Sequence, residues 1–317
     1  MKKQLCAVLT AAILIAATSA FARTIDPIVS TGWLEANGAD VVVLDVRPAD
    51  AYAAGHIPGA INEPWVVPFS AWITMSADGL LLEMPEDSDL IAAIADLGID
   101  ENSKVVVVNA TNPGEPAHYG PAGATRVALT LVYAGVPNVA ILDGGQPKWD
   151  AEGKAMTTDV PSVTPSSFAG DIDTGLIASI DDVDTASFSV TLIDSRDAAV
   201  YFGATIEPFA PVAGHIPGAT SLPGPFAYTT DENNNLVFQN IDTLWRLAEG
   251  AVSTNWPFWV PVEHKKVIVY CGVGGYASIW TYVLQEVLGY RRVKMFDGSA
   301  QQWVAAGYDM NAYIWEW

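Results

Sequence analysis

The chain of 317 residues is half apolar and carries 36 acidic against 15 basic side chains, a formal net charge of −21. So negative a protein has no electrostatic basis for holding nucleic acid or an anionic membrane surface, and an anionic substrate must be drawn in by a local feature against the overall field. The length suggests about two domains.

The first element is a leader. In MKKQLCAVLTAAILIAATSAFA, Lys2 and Lys3 form a positive region, a small and apolar run follows, and Ala20-Phe21-Ala22 is an A-x-A cleavage signature. The run is too short and alanine-rich for a comfortable membrane span. The expectation is a signal peptide over 1–22, a mature chain starting near Arg23, and a periplasmic or secreted protein free of the membrane after cleavage. Cys6 leaves with the leader, so Cys271 is then the sole cysteine and no intrachain disulfide can form.

The rest of the chain is written twice. VVVLDVRPADAYAAGHIPGAIN in the first half answers to VTLIDSRDAAVYFGATIEPFAPVAGHIPGATS in the second, and NVAILDGGQPKWDAEG to RVKMFDGSAQQWVAAG. The expected domains span 24–155 and 175–317, joined by the Thr/Ser/Pro-rich linker 156–174, which has no apolar periodicity. In each half the continuous apolar runs Val105–Val108 and Val267–Tyr270 suit parallel strands covered on both faces. Ala122–Tyr133 and Ser278–Leu288 carry helical spacing and stop near Gly135 and Gly289. The predicted class is α/β, a parallel sheet with helices on both faces, present twice.

Cys271 stands at the carboxyl end of a predicted strand, where ligands bind in such sheets. It opens the loop Cys271-Gly272-Val273-Gly274-Gly275-Tyr276. Glycines admit positive φ and let a ligand approach the main chain. A loop curling into a helix N-terminus points N–H groups inward, an anion nest expected to lower the cysteine pKa. The ordinary alternative is a buried strand-end cysteine before a plain turn.

The paired Asp-x-Arg and Gly-His-Ile-Pro-Gly-Ala segments, the Asp-Gly-[Gly/Ser]-x-x-x-Trp segments, and a cysteine confined to the second repeat resemble the tandem-domain rhodanese family of sulfurtransferases, over essentially the whole mature chain. The resemblance implies two rhodanese-like domains, the first catalytically silent because Asn109 stands where Cys271 stands in the second. It implies a Cys271 thiolate that takes sulfane sulfur from a small anionic donor, thiosulfate or 3-mercaptopyruvate, and passes it from a persulfide to a thiol, a thioredoxin-like protein or cyanide. That chemistry requires no metal and no organic cofactor.

The chain departs from the family pattern in two ways. Its loop holds no cation, and Val200 stands where a second arginine often follows Arg196. Arg196 is either a substrate contact or a structural ion pair, as the matching Arg47 suggests. Tyr276 either donates a hydrogen bond to the donor or packs over the loop. His56 and His215 occur in both halves and are expected to shape the fold, as are Asp45 and Asp194. Trp245, Trp256, Phe258 and Trp259 form a lid, a pocket wall, a partner surface or core packing. An arginine-closed phosphatase loop is disfavoured, since Ala277 and Ser278 occupy its end, and a dithiol enzyme lacks its second cysteine. The non-enzymatic alternative is a periplasmic sulfur or selenium carrier, or a binding protein, whose cysteine is loaded by a partner.

Overall fold

The computed structural model describes residues 23–186, 189–253, 259–261 and 264–313. The predicted leader, Trp256 and Phe258 lie outside the described residues. Among those described, no helix is long and apolar enough to cross a membrane.

The first half contains β1 (Ile28–Val29), β2 (Val42–Asp45), β3 (Ile61–Asn62), β4 (Lys104–Val108) and β5 (Asn138–Leu142), with α1 (Thr31–Asn37), α2 (Ala49–Ala54), α3 (Asp87–Asp96), α4 (Tyr119–Tyr133) and α5 (Gly145–Ala151) between and after them. The second half has β6 (Ile177–Ala178), β7 (Val190–Asp194), β8 (Thr220–Ser221), a hairpin of β9 (Tyr228–Thr230) and β10 (Leu236–Phe238), β11 (Lys266–Tyr270) and β12 (Arg292–Phe296). Its helices are α6 (Ile180–Asp184), α7 (Ala198–Tyr201), α8 (Ile241–Val252), α9 (Gly275–Tyr282) and α10 (Ser299–Ala305). The two five-stranded sheets run β1-β5-β4-β2-β3 and β6-β12-β11-β7-β8, parallel throughout and of one topology.

Strand periodicity explains the layering. Val105 and Val107 of β4 face one apolar cluster, while Val106 and Val108 face another, so helices cover both sides of the sheet. On β11, Val267 and Val269 share a cluster with Cys271, while Ile268 and Tyr270 point to the opposite face. The cluster holding Cys271 also contains Val105 and Val107, so it is one core shared by both halves. Its centre is α4 against α9, with Thr125 and Ser278 hydroxyls 2.9 Å apart. The predicted helix at Ser278–Leu288 is present but changes to a π-turn at Val283–Val287 before ending at Gly289, whose φ is 75°. A single π-turn widens a helix locally without unfolding it.

Both repeated motifs make the same contacts in each half. Each arginine folds back on the aspartate two residues before it. Arg196 Nε and Nη2 reach Asp194 at 3.0 and 2.6 Å, and Nη2 also donates to Gly214 O at 2.7 Å. Arg47 does the same with Asp45 and Gly55. His56 stacks on Tyr52 and His215 on Tyr201, at 3.7 and 3.9 Å between ring centres, with each Nδ1 2.9 Å from the tyrosine carbonyl. Trp245 packs on Tyr290 beside the core, and Trp259 is exposed.

The halves also interlock by exchange. Residues 63–86 of the first half reach the second, where Met84 N–H donates to Asp297 Oδ2 at 2.7 Å and Leu81 bonds Gln301 through both main-chain groups. Residues 222–240 return the contact, with Phe238 N–H donating to Asp143 Oδ1 at 2.8 Å. Arg126, fully buried on α4, joins Asp297 Oδ1 and the Leu82 carbonyl. Removing one partner of such a pair leaves an uncompensated buried charge. Arg126→Met is expected to cost about 3–5 kcal/mol in unfolding free energy by urea titration, with Arg126→Met/Asp297→Asn together costing less than Arg126→Met alone.

Candidate active site

β11 delivers Cys271 to the interdomain face because strand alternation places its side chain with those of Val267 and Val269. The loop then turns immediately into α9. Gly274 adopts φ +86°, and a Cβ there would lie 2.9 Å from Arg126 Nη1 and 3.0 Å from the Asp297 carbonyl. Both backbone conformation and space therefore demand glycine at this point. The Gly274 N–H donates to Cys271 Sγ at 3.1 Å, the first contact of the expected nest.

The other end of the loop is fastened by the segment after β12. Ala300 N–H donates to Cys271 O at 2.9 Å and Gln301 N–H to Gly272 O at 3.0 Å. Ser299 sits at φ +50°, where the first half has Gly145 at +57°. Its hydroxyl accepts from the Cys271 N–H at 3.2 Å and donates to Phe296 O at 2.8 Å. Left-handed backbone is unfavourable for a residue with a side chain, and here it places a hydroxyl against the cysteine's own amide.

One expectation is corrected. The Cys271 thiol is pushed above its ordinary value, chiefly by burial. The N–H groups of Ala277, Val273 and Gly274 pull it down as the nest geometry requires, while the Glu207 carboxylate adds to the rise. Cys271 is only 3% exposed, and desolvating a thiolate outweighs three N–H contacts here.

A cavity of about 200 Å³ opens beside the sulfur. The second half contributes Cys271, Gly272, Val273, Gly275, Tyr276, Glu207 and Phe209; the first contributes Trp65, Val67, Leu81, Leu82, Tyr119, Ala122 and Gly123. The first half, with Asn109 where the second has Cys271, thus walls the site. Tyr276 meets Tyr119 edge-on at 6.1 Å, and burial pushes its hydroxyl well above the ordinary value, so it stays a protonated donor. Arg196 is 1% exposed and lies behind this wall. Its Nη1 is 3.8 Å from Glu207 Oε2, and neither atom has a hydrogen-bond partner.

Three residues of this arrangement escaped sequence reasoning: Glu207, Arg126 and Ser299. Glu207 had a signal. The interval from arginine to histidine is nine positions between Arg47 and His56 but nineteen between Arg196 and His215, so the cysteine-bearing half alone carries an insertion. Ser299 shows as the one change between Asp-Gly-Gly and Asp-Gly-Ser. Arg126 reads as the one charged residue on an otherwise uncharged, largely apolar helix and gives no sign of its partner across the domains.

Fold and site together describe a duplicated α/β protein with one cysteine-centred loop at a sheet's carboxyl edge. The chain belongs to the rhodanese-like domain family, which matches twice, over residues 30–152 and 176–306. It is 30% identical over 293 residues to a Synechococcus elongatus protein named "Putative thiosulfate sulfurtransferase", covering 92% of this chain and 86% of that one. Sulfur carrier protein TtuD of Thermus thermophilus is likewise 30% identical over 291 residues, 87% of this chain and 93% of that one. Among solved structures, 3-mercaptopyruvate sulfurtransferase from Leishmania major shares the fold with a TM-score of 0.71 at 17% identity, covering 89% of this chain and 75% of that one.

The raised thiol sets a measurable expectation. Alkylation of Cys271 by iodoacetamide should still be accelerating at pH 9, about tenfold per pH unit below the midpoint, where an unperturbed thiol approaches its plateau. A plateau below pH 8, followed by mass spectrometry of the labelled peptide, would contradict the dominance of burial.

Proposed function

We propose that the protein is a sulfurtransferase that carries sulfane sulfur on Cys271. The observation that carries this reading is a cysteine, the only one among the described residues, whose Sγ accepts the Gly274 N–H at 3.1 Å and borders a small interdomain cavity. The Cys271 thiolate attacks the outer sulfur of thiosulfate, whose sulfur–sulfur bond breaks with the pair leaving on sulfite. On 3-mercaptopyruvate it attacks the thiol sulfur, and the carbon–sulfur bond breaks with the pair leaving as the enolate of pyruvate, which takes up the thiol's proton. A Cys271 persulfide remains in either case. A thiol, a thioredoxin-like protein or cyanide then removes the sulfur, which makes the kinetics ping-pong. The main-chain amides of Gly272, Val273, Gly274 and Gly275 cradle the added sulfur's negative charge, as oriented amides do for anions. Tyr276 supplies a hydroxyl to the donor. Arg196, held by Asp194 and Gly214, orients the wall through Glu207.

A second reading, a carrier loaded by a protein partner with sulfur or selenium, is favoured by the likeness to the Thermus sulfur carrier and by a loop without a cation. Turnover with a small donor separates the two. Brief exposure to either donor should add one sulfur atom to the intact mass, excess cyanide should remove it, and repeated cycles should release stoichiometric excess of thiocyanate. Single loading without turnover favours the carrier. Cys271→Ser should abolish loading while the fold is kept, with unfolding free energy lowered by about 1–3 kcal/mol for a hydroxyl placed among apolar side chains. Residual transfer in that variant would sink Cys271 as the nucleophile. The reading includes export: protein recovered from the producing cell's envelope or medium should begin at or near Arg23, and a retained leader there would count against it.

A further inference from the structure

The insertion found only in the cysteine-bearing half brings a carboxylate, Glu207, to the wall of the reactive cavity. It presses on the loop itself: a Cβ placed on Gly272 would lie 2.5 Å from Glu207 Oε2. The nearby cation does not cancel it. Arg196 spends Nε and Nη2 on Asp194 and Gly214, leaving only an unpartnered Nη1 facing Glu207 at 3.8 Å. With Glu207 ionised, Asp194, Arg196 and Glu207 together carry one net negative charge beside a sulfur that must itself become an anion. No other cation borders the cavity among the described residues, and the whole chain is strongly acidic. The remaining wall is aromatic and aliphatic, with Trp65, Tyr119, Phe209 and Tyr276 around the opening. A carboxylate among aromatic faces is the chemistry that receives an ammonium group and turns away anions.

We propose that Glu207 selects sulfur donors by charge, so that the site prefers a sulfane-sulfur compound bearing an ammonium group over the thiosulfate dianion. This rests on the sulfurtransferase reading above and assigns its donor class. For an ammonium-bearing thiosulfonate the step is balanced without any further reactant. The Cys271 thiolate forms a bond to the donor's outer sulfur, the donor's sulfur–sulfur bond breaks, and the sulfinate departs with the electron pair. The cysteine is left as a persulfide anion, and the donor's ammonium group keeps its proton throughout.

Burial raises Glu207 to about 7, against the lowering by Arg196, with Asp194 and Asp197 adding to the rise. Tyr119, Tyr276 and Cys271 also face it electrostatically, and all three are neutral near pH 7 in the resting site because each is raised. As pH rises through about 7 the carboxylate ionises, so discrimination against anions grows.

The test uses three thiosulfonates that share the bond to be broken: thiosulfate, methanethiosulfonate and 2-aminoethanethiosulfonate, which at pH 7 carry two, one and no net negative charges. The readout is kcat/KM for Cys271 persulfide formation in the full protein, followed by intact mass and thiocyanate release. Preference is expected to rise roughly tenfold for each negative charge removed from the donor. Glu207→Gln, close in shape to the native side chain, should reduce that slope to about threefold or less. In the unaltered protein, the ratio of 2-aminoethanethiosulfonate to thiosulfate should rise between pH 6 and 8. Ionisation of Cys271 enters both rates and cancels in this ratio, so the pH arm needs no variant. A preference that is flat across the series, or unchanged by both Glu207→Gln and pH, overturns the charge selection while leaving the sulfurtransferase intact. A change of equal size for all three donors also overturns it and assigns Glu207 to proton handling at Cys271. If none of the donors loads Cys271, the sulfurtransferase reading falls and the charge selection falls with it.

Discussion

The contact of α4 with α9 is the constraint from which the site follows. Each helix begins just after the loop at the end of its own sheet's central strand, so packing them together brings the two loops face to face. Arg126 sits at that junction, joining a carboxylate and a carbonyl from opposite halves and lying against Gly274 of the cysteine loop. A buried arginine without both partners would be strongly destabilising, so the ion pair fixes the relative placement of the domains. The cavity beside Cys271 exists because that placement is fixed.

Closing the site this way has opposed effects on the sulfur. Burial disfavours the thiolate, while the amides of the loop favour it, and burial prevails in the resting state. The same seclusion keeps the Cys271 thiol from bulk oxidants, whose attack depends on exposed thiolate. Under the sulfur transfer proposed above, the loaded cysteine bears its charge one atom beyond Sγ, so burial of Sγ itself weighs less on the loaded form than on the bare thiolate.

Much of this was legible in the sequence because duplication supplies its own control. Asp45 and Asp194, Arg47 and Arg196, and His56 and His215 recur in equivalent roles, and their bonds are those of two matching turns. The strand ends and the cysteine's place were readable from the continuous Val/Ile runs. What could not be read was anything that depends on contact across the halves: Arg126 finds Asp297 some 171 positions away. Nor does a loop's motif reveal how deeply it will be buried, which is why the sign of the thiol's shift needed coordinates. Glu207 fell between these cases, visible as an insertion but without an address.

The reciprocal strapping of the domains has a consequence for how such a chain can change over generations. The segment that follows the edge strand in each half is docked on the other half, 63–86 on Asp297 and Gln301, 222–240 on Asp143. A substitution in either segment must suit the surface of the other half, so the two repeats can diverge only along paths that keep their shared surfaces complementary.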